Sequence, residues 1–297
     1  MATISQMFPA VHSEQSSTFG AVLLQSREID ALMDDPVGCL PNILSAIRAR
    51  HARISVAWRP VIPTVMQPDD PVDNRLLAAL PPVDYARLLP HLERVSVPLK
   101  HVFYEPGRPI PYIYFPTRVI ASLVIYMAGG GVVEIAAVGA EGMVGLPVFL
   151  GTDTIPLSCY AQIPGDALRM PADVLIRETS VCAALHDVLH RYTQALMVQV
   201  AQSMACAQCH SLEERCCRWL LMTQDRVRAD TFLLTQEFLG HMLGVRRPRA
   251  SIVASTLQKA GLIRYSRGRI TILDRAGLEA GSCACYGIIT GEFNRLI

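Results

Sequence analysis

The stretch from Leu234 to Leu273, LTQEFLGHMLGVRRPRASIVASTLQKAGLIRYSRGRITIL, constrains this chain more than any other. Phe238, Leu239, Met242 and Leu243 stand at helical spacing, and Gly244 stops that helix after about two turns. A second amphipathic segment opens at Arg246-Arg247-Pro248. Proline is tolerated there because the first-turn N–H groups have no intrahelical partner. The segment carries apolar residues at Ala250, Val253 and Leu257 and ends at Gly261. Two short helices joined by a tight turn with glycine form a helix-turn-helix, whose second helix enters the major groove of DNA. The outward face is expected at Arg247, Pro248, Ser251, Ile252 and Ser255. Leu262 to Tyr265 and Arg269 to Leu273 then read as a hairpin turned by Ser266-Arg267-Gly268, which makes the unit winged.

Charge supports the same reading. From Thr231 to Leu273 there are seven basic residues, Arg246, Arg247, Arg249, Lys259, Arg264, Arg267 and Arg269, against Glu237 alone, a net of +6. The whole chain carries only +1, so the remainder is near −5. A local basic patch on a mildly acidic body is the footprint of a DNA-binding module.

The 297 residues allow two domains and a connecting element, and 51% hydrophobic with 18% charged residues describe a globular chain. The most apolar region, Val119 to Leu150, is interrupted by Glu134, Glu141 and six glycines, so no membrane span is expected. No secretory signal is read at the N-terminus, and a cytoplasmic location is expected. Nine cysteines suit reduced thiols better than a disulfide framework. Cys206, Cys209, Cys216 and Cys217 could hold metal or act as a redox pair, but in helical sequence they read as small buried hydrophobes, with Cys283 and Cys285 outside the motif core. No metal site and no cofactor are assigned.

Residues 1–72 read as an extension or linker, largely disordered, with a short helix possible at Leu40 to Arg50. Asn74 to Leu92 has the spacing of two short helices broken at Pro81-Pro82. The period then changes to short β-rich runs: Val95 to Leu99, His101 to Tyr104, Tyr112 to Phe115, Val119 to Met127, Val132 to Val138, Met143 to Phe149, Leu157 to Gln162 and Ala167 to Met170. Glycines punctuate them, as in a small antiparallel barrel or jelly roll. Helix resumes at Pro171-Ala172-Asp173. Leu185, Leu189, Tyr192 and Leu196, continuing through Gln199 and Ser203 to Cys206, alternate in steps of four and three, the spacing of a coiled-coil dimer seam. The bland alternative is a helix packed on its own barrel. Ser211-Leu212-Glu213-Glu214 resembles a capping box opening a helix to about Arg226.

In this order, from about Asn74 to Leu273, the chain resembles the Crp/Fnr superfamily of bacterial transcription regulators, most specifically in LTQEFLGHMLGVRRPRASIVASTLQKAGLI. The resemblance implies an α+β chain: an N-terminal antiparallel β-roll of the cyclic-nucleotide-binding type (73–172), a long dimerisation helix (173–210) and a C-terminal winged helix-turn-helix (211–297). It implies double-stranded DNA, a homodimer and RNA polymerase as partners, and no enzymatic activity. Thr235 and Gln236 match phosphate-contacting positions, and Arg247 matches the first base-reading arginine. Pro248 and Ile252 replace the family's usual acid and second arginine, which puts the usual half-site in doubt; Ile252 could meet a thymine methyl. Arg246, Arg249, Lys259, Arg267 and Arg269 complete the candidate DNA-binding set with Ser251 and Ser255. The family's phosphate cassette does not carry over: Leu146 stands at its Glu position and no Lys or Arg lies between Arg118 and Arg169. The effector is therefore expected not to be a cyclic nucleotide. Glu134 and Glu141 read as strand-edge and turn residues. A thiol or iron–sulfur redox-gated regulator is the alternative. A cupin-like metal enzyme is disfavoured, because Val95 to Met170 offers only His101 as a histidine ligand.

Overall fold

The computed structural model describes residues 72–127 and 131–297, with the backbone of Thr64–Val65. All of them belong to one unit, Val61–Ile297. The expected extension to residue 72 and the helix at Leu40 to Arg50 lie outside the described residues. The exception is Thr64–Val65, which is not extension but strand β1, paired antiparallel with Arg94 and Glu93.

Two short helices, α1 (Arg75–Ala78) and α2 (Pro82–Leu88), open the body, followed by a 3₁₀ turn at Leu89–His91. Asn74 caps α1: its carbonyl oxygen accepts from Leu76 and Leu77 N–H, and its amide donates to Pro116 and Gly142 carbonyls. A buried asparagine is stable only when so satisfied, and here it ties the helices to two loops of the roll.

The roll is two four-stranded antiparallel sheets. One runs β1-β2-β8-β4, from β2 (Glu93–Val97), β4 (Tyr112–Pro116) and β8 (Gly165–Pro171). The other runs β3-β7-β5-β6, from β3 (Val102–Tyr104), β5 (Ile120–Tyr126), β6 (Val132–Val138) and β7 (Ser158–Ile163). Val95, Phe115, Leu123, Cys159 and Leu168 from both sheets meet in one core with Leu76, Leu88 and Leu175.

One expected strand is absent. Met143 to Phe149 contributes only the bridge of Val144 to Tyr114 and then turns into helix α3 (Leu146–Phe149). Gly145 takes the left-handed conformation at φ 101°, and Pro147 has no N–H to give a ladder, so the run leaves the sheet.

The expected long helix from residue 173 is two helices, α4 (Ala172–Val181) and α5 (Ala183–Cys209), separated at the extended Cys182. The seam assigned to a dimer partner is corrected. Leu185, Leu189, Tyr192, Leu196, Gln199 and Cys206 are all buried within their own chain. The Tyr192 hydroxyl donates to the Met143 carbonyl at 2.9 Å, and the Gln199 amide donates to the Ala137 carbonyl at 3.0 Å. The seam faces the roll because each buried leucine contributes about 1.5–3 kcal/mol on leaving water, wherever it finds an apolar wall. The opposite face carries the same four-three spacing in His190, Gln194, Met197, Ala201, Met204 and Gln208, all exposed.

Helix α6 (Leu212–Val227) starts at the expected capping box: Ser211 Oγ accepts from Glu214 N–H while the Glu214 carboxylate accepts from Ser211 N–H. Strand β9 (Thr231–Leu233), helices α7 (Gln236–Leu243) and α8 (Arg247–Lys259) and strands β10 (Ile263–Ser266) and β11 (Arg269–Ile272) complete the winged unit. Two helices follow that the sequence reading did not identify, α9 (Arg275–Ala280) and α10 (Cys285–Leu296). Ile289 and Phe293 of α10 join the core of the roll and α5. No helix among the described residues is long and apolar enough to cross a membrane.

Candidate nucleic-acid interface

Local chemistry shapes the helix-turn-helix. Thr235 caps α7, its hydroxyl accepting from Phe238 N–H at 3.2 Å, an interaction of about 1 kcal/mol. Gly244 ends the helix in the left-handed region at φ 64°. Gly240 lets the chain double back: a Cβ there would stand 2.8 Å from the Val245 carbonyl oxygen, which leaves no room for a side chain. Arg246 is the extended N-cap of α8, and Pro248 lies in its first turn. Ala250, Val253, Ala254 and Leu257 bury one face of α8. By the 3.6-residue repeat the opposite stripe is Pro248, Ile252, Ser255 and Lys259. All four are exposed, Ile252 by 65%.

Arg247 lies to one side of that stripe, the side that turns toward the wing. Its Nε donates to Gln236 Oε1 at 3.3 Å. Ser251, half-buried, spends its hydroxyl on the Arg247 carbonyl. Arg249 is exposed on the other flank. The wing is tighter than expected: Ser266 pairs with Arg269, leaving Arg267-Gly268 as a two-residue turn with φ values of 48° and 73°. Positive φ at both positions suits a strand-matched hairpin turn, and a non-glycine residue there is uncommon. The wing also has a third strand, since β9 pairs with β11. Two bonds hold it against the helices: the Tyr265 hydroxyl donates to the Leu234 carbonyl at 3.0 Å, and Gln258 Oε1 accepts from Tyr265 N–H at 2.7 Å.

Thr235, Gln236, Arg247, Tyr265, Arg267 and Gly268 thereby converge on an open cleft of about 450 Å³ between the helix starts and the wing. Burial pushes the Tyr265 hydroxyl pKa up, with the Arg247 charge pulling it back. Arg269 is exposed on the wing opposite Ser266, and Arg264 is exposed opposite Thr271. Tyr265 and Gln258 were not singled out from sequence; their roles depend on the wing folding back.

The unit is docked on the roll through α7 and α6. The Trp219 indole donates to the Glu134 carboxylate, which also receives Ser122 and Gln162. Enclosure by these groups raises the Glu134 pKa, desolvation outweighing the donors. Glu134 does lie on an edge strand, as read from sequence, but its carboxyl is part of an interdomain network. Tyr160 OH and His241 Nδ1 stand 3.4 Å apart across the same junction. Burial lowers the His241 pKa. The docking leaves the Pro248–Lys259 stripe free.

The expected cysteine grouping is redistributed. Cys216 and Cys217 are buried in the core of the winged unit and Cys209 is exposed. Cys206 instead meets Cys283, Cys285 and His210. The signal was present in sequence: Cys206 and His210 are four apart across the end of a helix, and Cys283 and Cys285 flank one residue.

Residues 214–280 match the family model of the Crp-like helix-turn-helix domain. No curated protein matches the chain. Among solved structures, a putative transcriptional regulator of the Crp/Fnr family from Eubacterium rectale aligns with TM-score 0.56 at 18% identity, over 70% of this chain and 98% of that one. FixK2 from Bradyrhizobium japonicum aligns with TM-score 0.56 at 16% identity, over 65% and 98%. CLP of Xanthomonas campestris, described as a c-di-GMP responsive global regulator, aligns with TM-score 0.54 at 14% identity, over 64% and 98%. At these identities the likeness is one of fold. The chain thus carries a Crp-like helix-turn-helix domain on a body with the fold of the Crp/Fnr family of transcription regulators.

Proposed function

We propose that this protein is a dimeric, sequence-specific DNA-binding transcription regulator of the Crp/Fnr type, acting in the cytoplasm and without enzymatic activity of its own. The observation that carries the reading is the exposed stripe of α8 flanked by Arg247 and the wing, on a segment that carries a net charge of +6. Arg247, Pro248, Ile252 and Ser255 are candidates to face base edges, Arg247 from the side nearest the wing. Thr235, Gln236, Arg246, Arg249, Lys259, Arg267 and Arg269 are assigned to phosphates and flanking contacts.

The dimer is assigned to the exposed face of α5 rather than to its buried seam. Met197 and Met204 are 63% and 69% exposed and fall in the four-three spacing with Ala201. Small and unbranched side chains at such positions let two helices approach closely. A twofold pair of α5 helices would set two α8 helices on half-sites about one turn of DNA apart. The effector is assigned to a class other than cyclic nucleotides: Leu146, Pro147 and Val148 of α3 are buried apolar side chains where the family places its phosphate cassette. RNA polymerase is the expected partner by family likeness.

Selection of bound duplexes from a random pool, by the full-length protein, tests the proposal. A two-fold symmetric motif is expected. Absence of any enriched sequence, with the protein folded, would remove DNA readout.

A further inference from the structure

Four side chains that can ligate metal converge where the end of α5 meets the start of α10. Cys206, His210, Cys283 and Cys285 each bring one ligand atom, all within 4.8 Å of one another. Cys206 Sγ and Cys283 Sγ are 3.5 Å apart, and Cys285 Sγ and His210 Nδ1 are 3.6 Å apart. The three cysteines are at most 5% exposed and form a small buried cluster of their own.

We propose that Cys206, His210, Cys283 and Cys285 form a tetrahedral Cys3His site for a single thiophilic divalent cation, zinc, which clamps the C-terminal helix to the long helix.

Metal–sulfur bonds of about 2.3 Å and metal–nitrogen bonds of about 2.0–2.1 Å place tetrahedral ligand atoms roughly 3.5–3.8 Å apart; two of the six pairs here stand at 3.5 and 3.6 Å, and all six lie within 4.8 Å, a contraction that a bound cation supplies. A four-iron cluster interposes iron and sulfide between its ligands and needs them farther apart. A disulfide between Cys206 and Cys283 would leave Cys285 and His210 unexplained. The surroundings fit the charge as well. Three thiolates and a neutral imidazole around a divalent cation carry a net of −1, the thiol protons having passed to solvent. Arg215 and Arg218 both act electrostatically on the Cys206 thiol. Arg218 is 9% exposed, forms no ion pair among the described residues, and its Nε has no hydrogen-bond partner among them. Its Nη1 donates to Met222 Sδ at 3.3 Å and its charge also reaches Glu134, and a thiolate-rich metal centre adds a second anion for this buried guanidinium. A supporting donor is also in place: Gln202, one turn before Cys206, gives its amide N–H to Cys285 Sγ at 3.1 Å. Such donors orient thiolate ligands.

Reduced full-length protein, stripped with chelator and titrated with Co²⁺ and then Zn²⁺, decides the matter. About one equivalent of Co²⁺ per chain is expected, with thiolate charge-transfer and tetrahedral d–d absorption that Zn²⁺ abolishes. His210→Ala and Cys285→Ser should lose these bands, Cys209→Ser should keep them, and Gln202→Ala should weaken binding roughly 10–100-fold. Hydrogen exchange over residues 283–296 should slow on zinc addition. His210→Ala, at a half-buried position, keeps the test valid if a cysteine variant misfolds. The proposal is overturned by any of three results: folded protein that gives no cobalt bands, iron–sulfur absorption in place of a mononuclear site, or bands that survive in both variants. None of these readouts depends on DNA binding.

Discussion

Arg226→Ala should destabilise the protein far more than loss of a surface ion pair would. Its Nε lies 2.7 Å from Glu141 Oε1, and the two side chains are 8% and 11% exposed. Arg226 also donates to Gln199 Oε1 at 3.2 Å, and Glu141 accepts from Gly139 N–H at 3.1 Å. Gln199 in turn holds the Ala137 carbonyl, so one cation links α6, α5 and the loop after β6. Truncation leaves the Glu141 carboxylate enclosed with only a backbone donor. Breaking a buried pair in this way costs about 3–5 kcal/mol, which for a body of this size lowers Tm by roughly 6–20 °C. Replacing both partners, as Arg226→Met with Glu141→Leu, removes the stranded charge and should recover all but about 1–2 kcal/mol. Urea unfolding of the wild type, the two single variants and the double variant gives the coupling directly. A loss under about 1 kcal/mol for Arg226→Ala, the range of exposed pairs, would refute the argument. So would strict additivity in the double variant.

Arg247→Ala should cost about 1–3 kcal/mol on the matched site and relax preference at one base pair, whereas Arg249→Ala should weaken all duplexes alike and flatten the salt slope by about one unit. Duplex titrations at several salt concentrations separate the two; uniform loss for Arg247→Ala would take it out of base readout. Met204→Glu should raise the dimer dissociation constant roughly 100-fold or more, because a twofold seam loses two buried side chains at about 1.5–3 kcal/mol each. Sizing and sedimentation check it; an unchanged state would move the interface elsewhere. Glu134 has a raised pKa in the folded state, so its contribution to stability is complete below the unfolded carboxyl value of about 4.3 and is lost as pH rises through the folded value. Glu134→Gln should remove that slope from the pH profile of unfolding free energy, and superimposable profiles would contradict the assignment. Cyclic AMP and cyclic GMP should leave DNA affinity unchanged, and submillimolar binding in calorimetry would show the cassette reading to be wrong.

The winged helix-turn-helix was legible in the sequence because its determinants are local. Thr235, Gly240, Gly244, Pro248 and Gly268 each act through the backbone within a few residues, and the charge is concentrated in the same segment. The strands of the roll were legible from alternation, except at Met143 to Phe149. There β-like composition lost to Gly145 and Pro147, which deny the ladder its geometry and its donor. The existence of the long helix was determined by its sequence, but which face it buries was not. A four-three repeat runs along both sides of α5, and only the roll's apolar wall at Met143 and Ala137 selected the Leu185–Gln199 side. Tertiary structure alone joined Cys206 to Cys283, 77 positions apart, and Glu134 to Trp219, 85 apart. Caps, turns and periodicity are properties of a few consecutive residues, while an ion pair, a ligand cluster or a chosen helix face exists only after distant segments have packed.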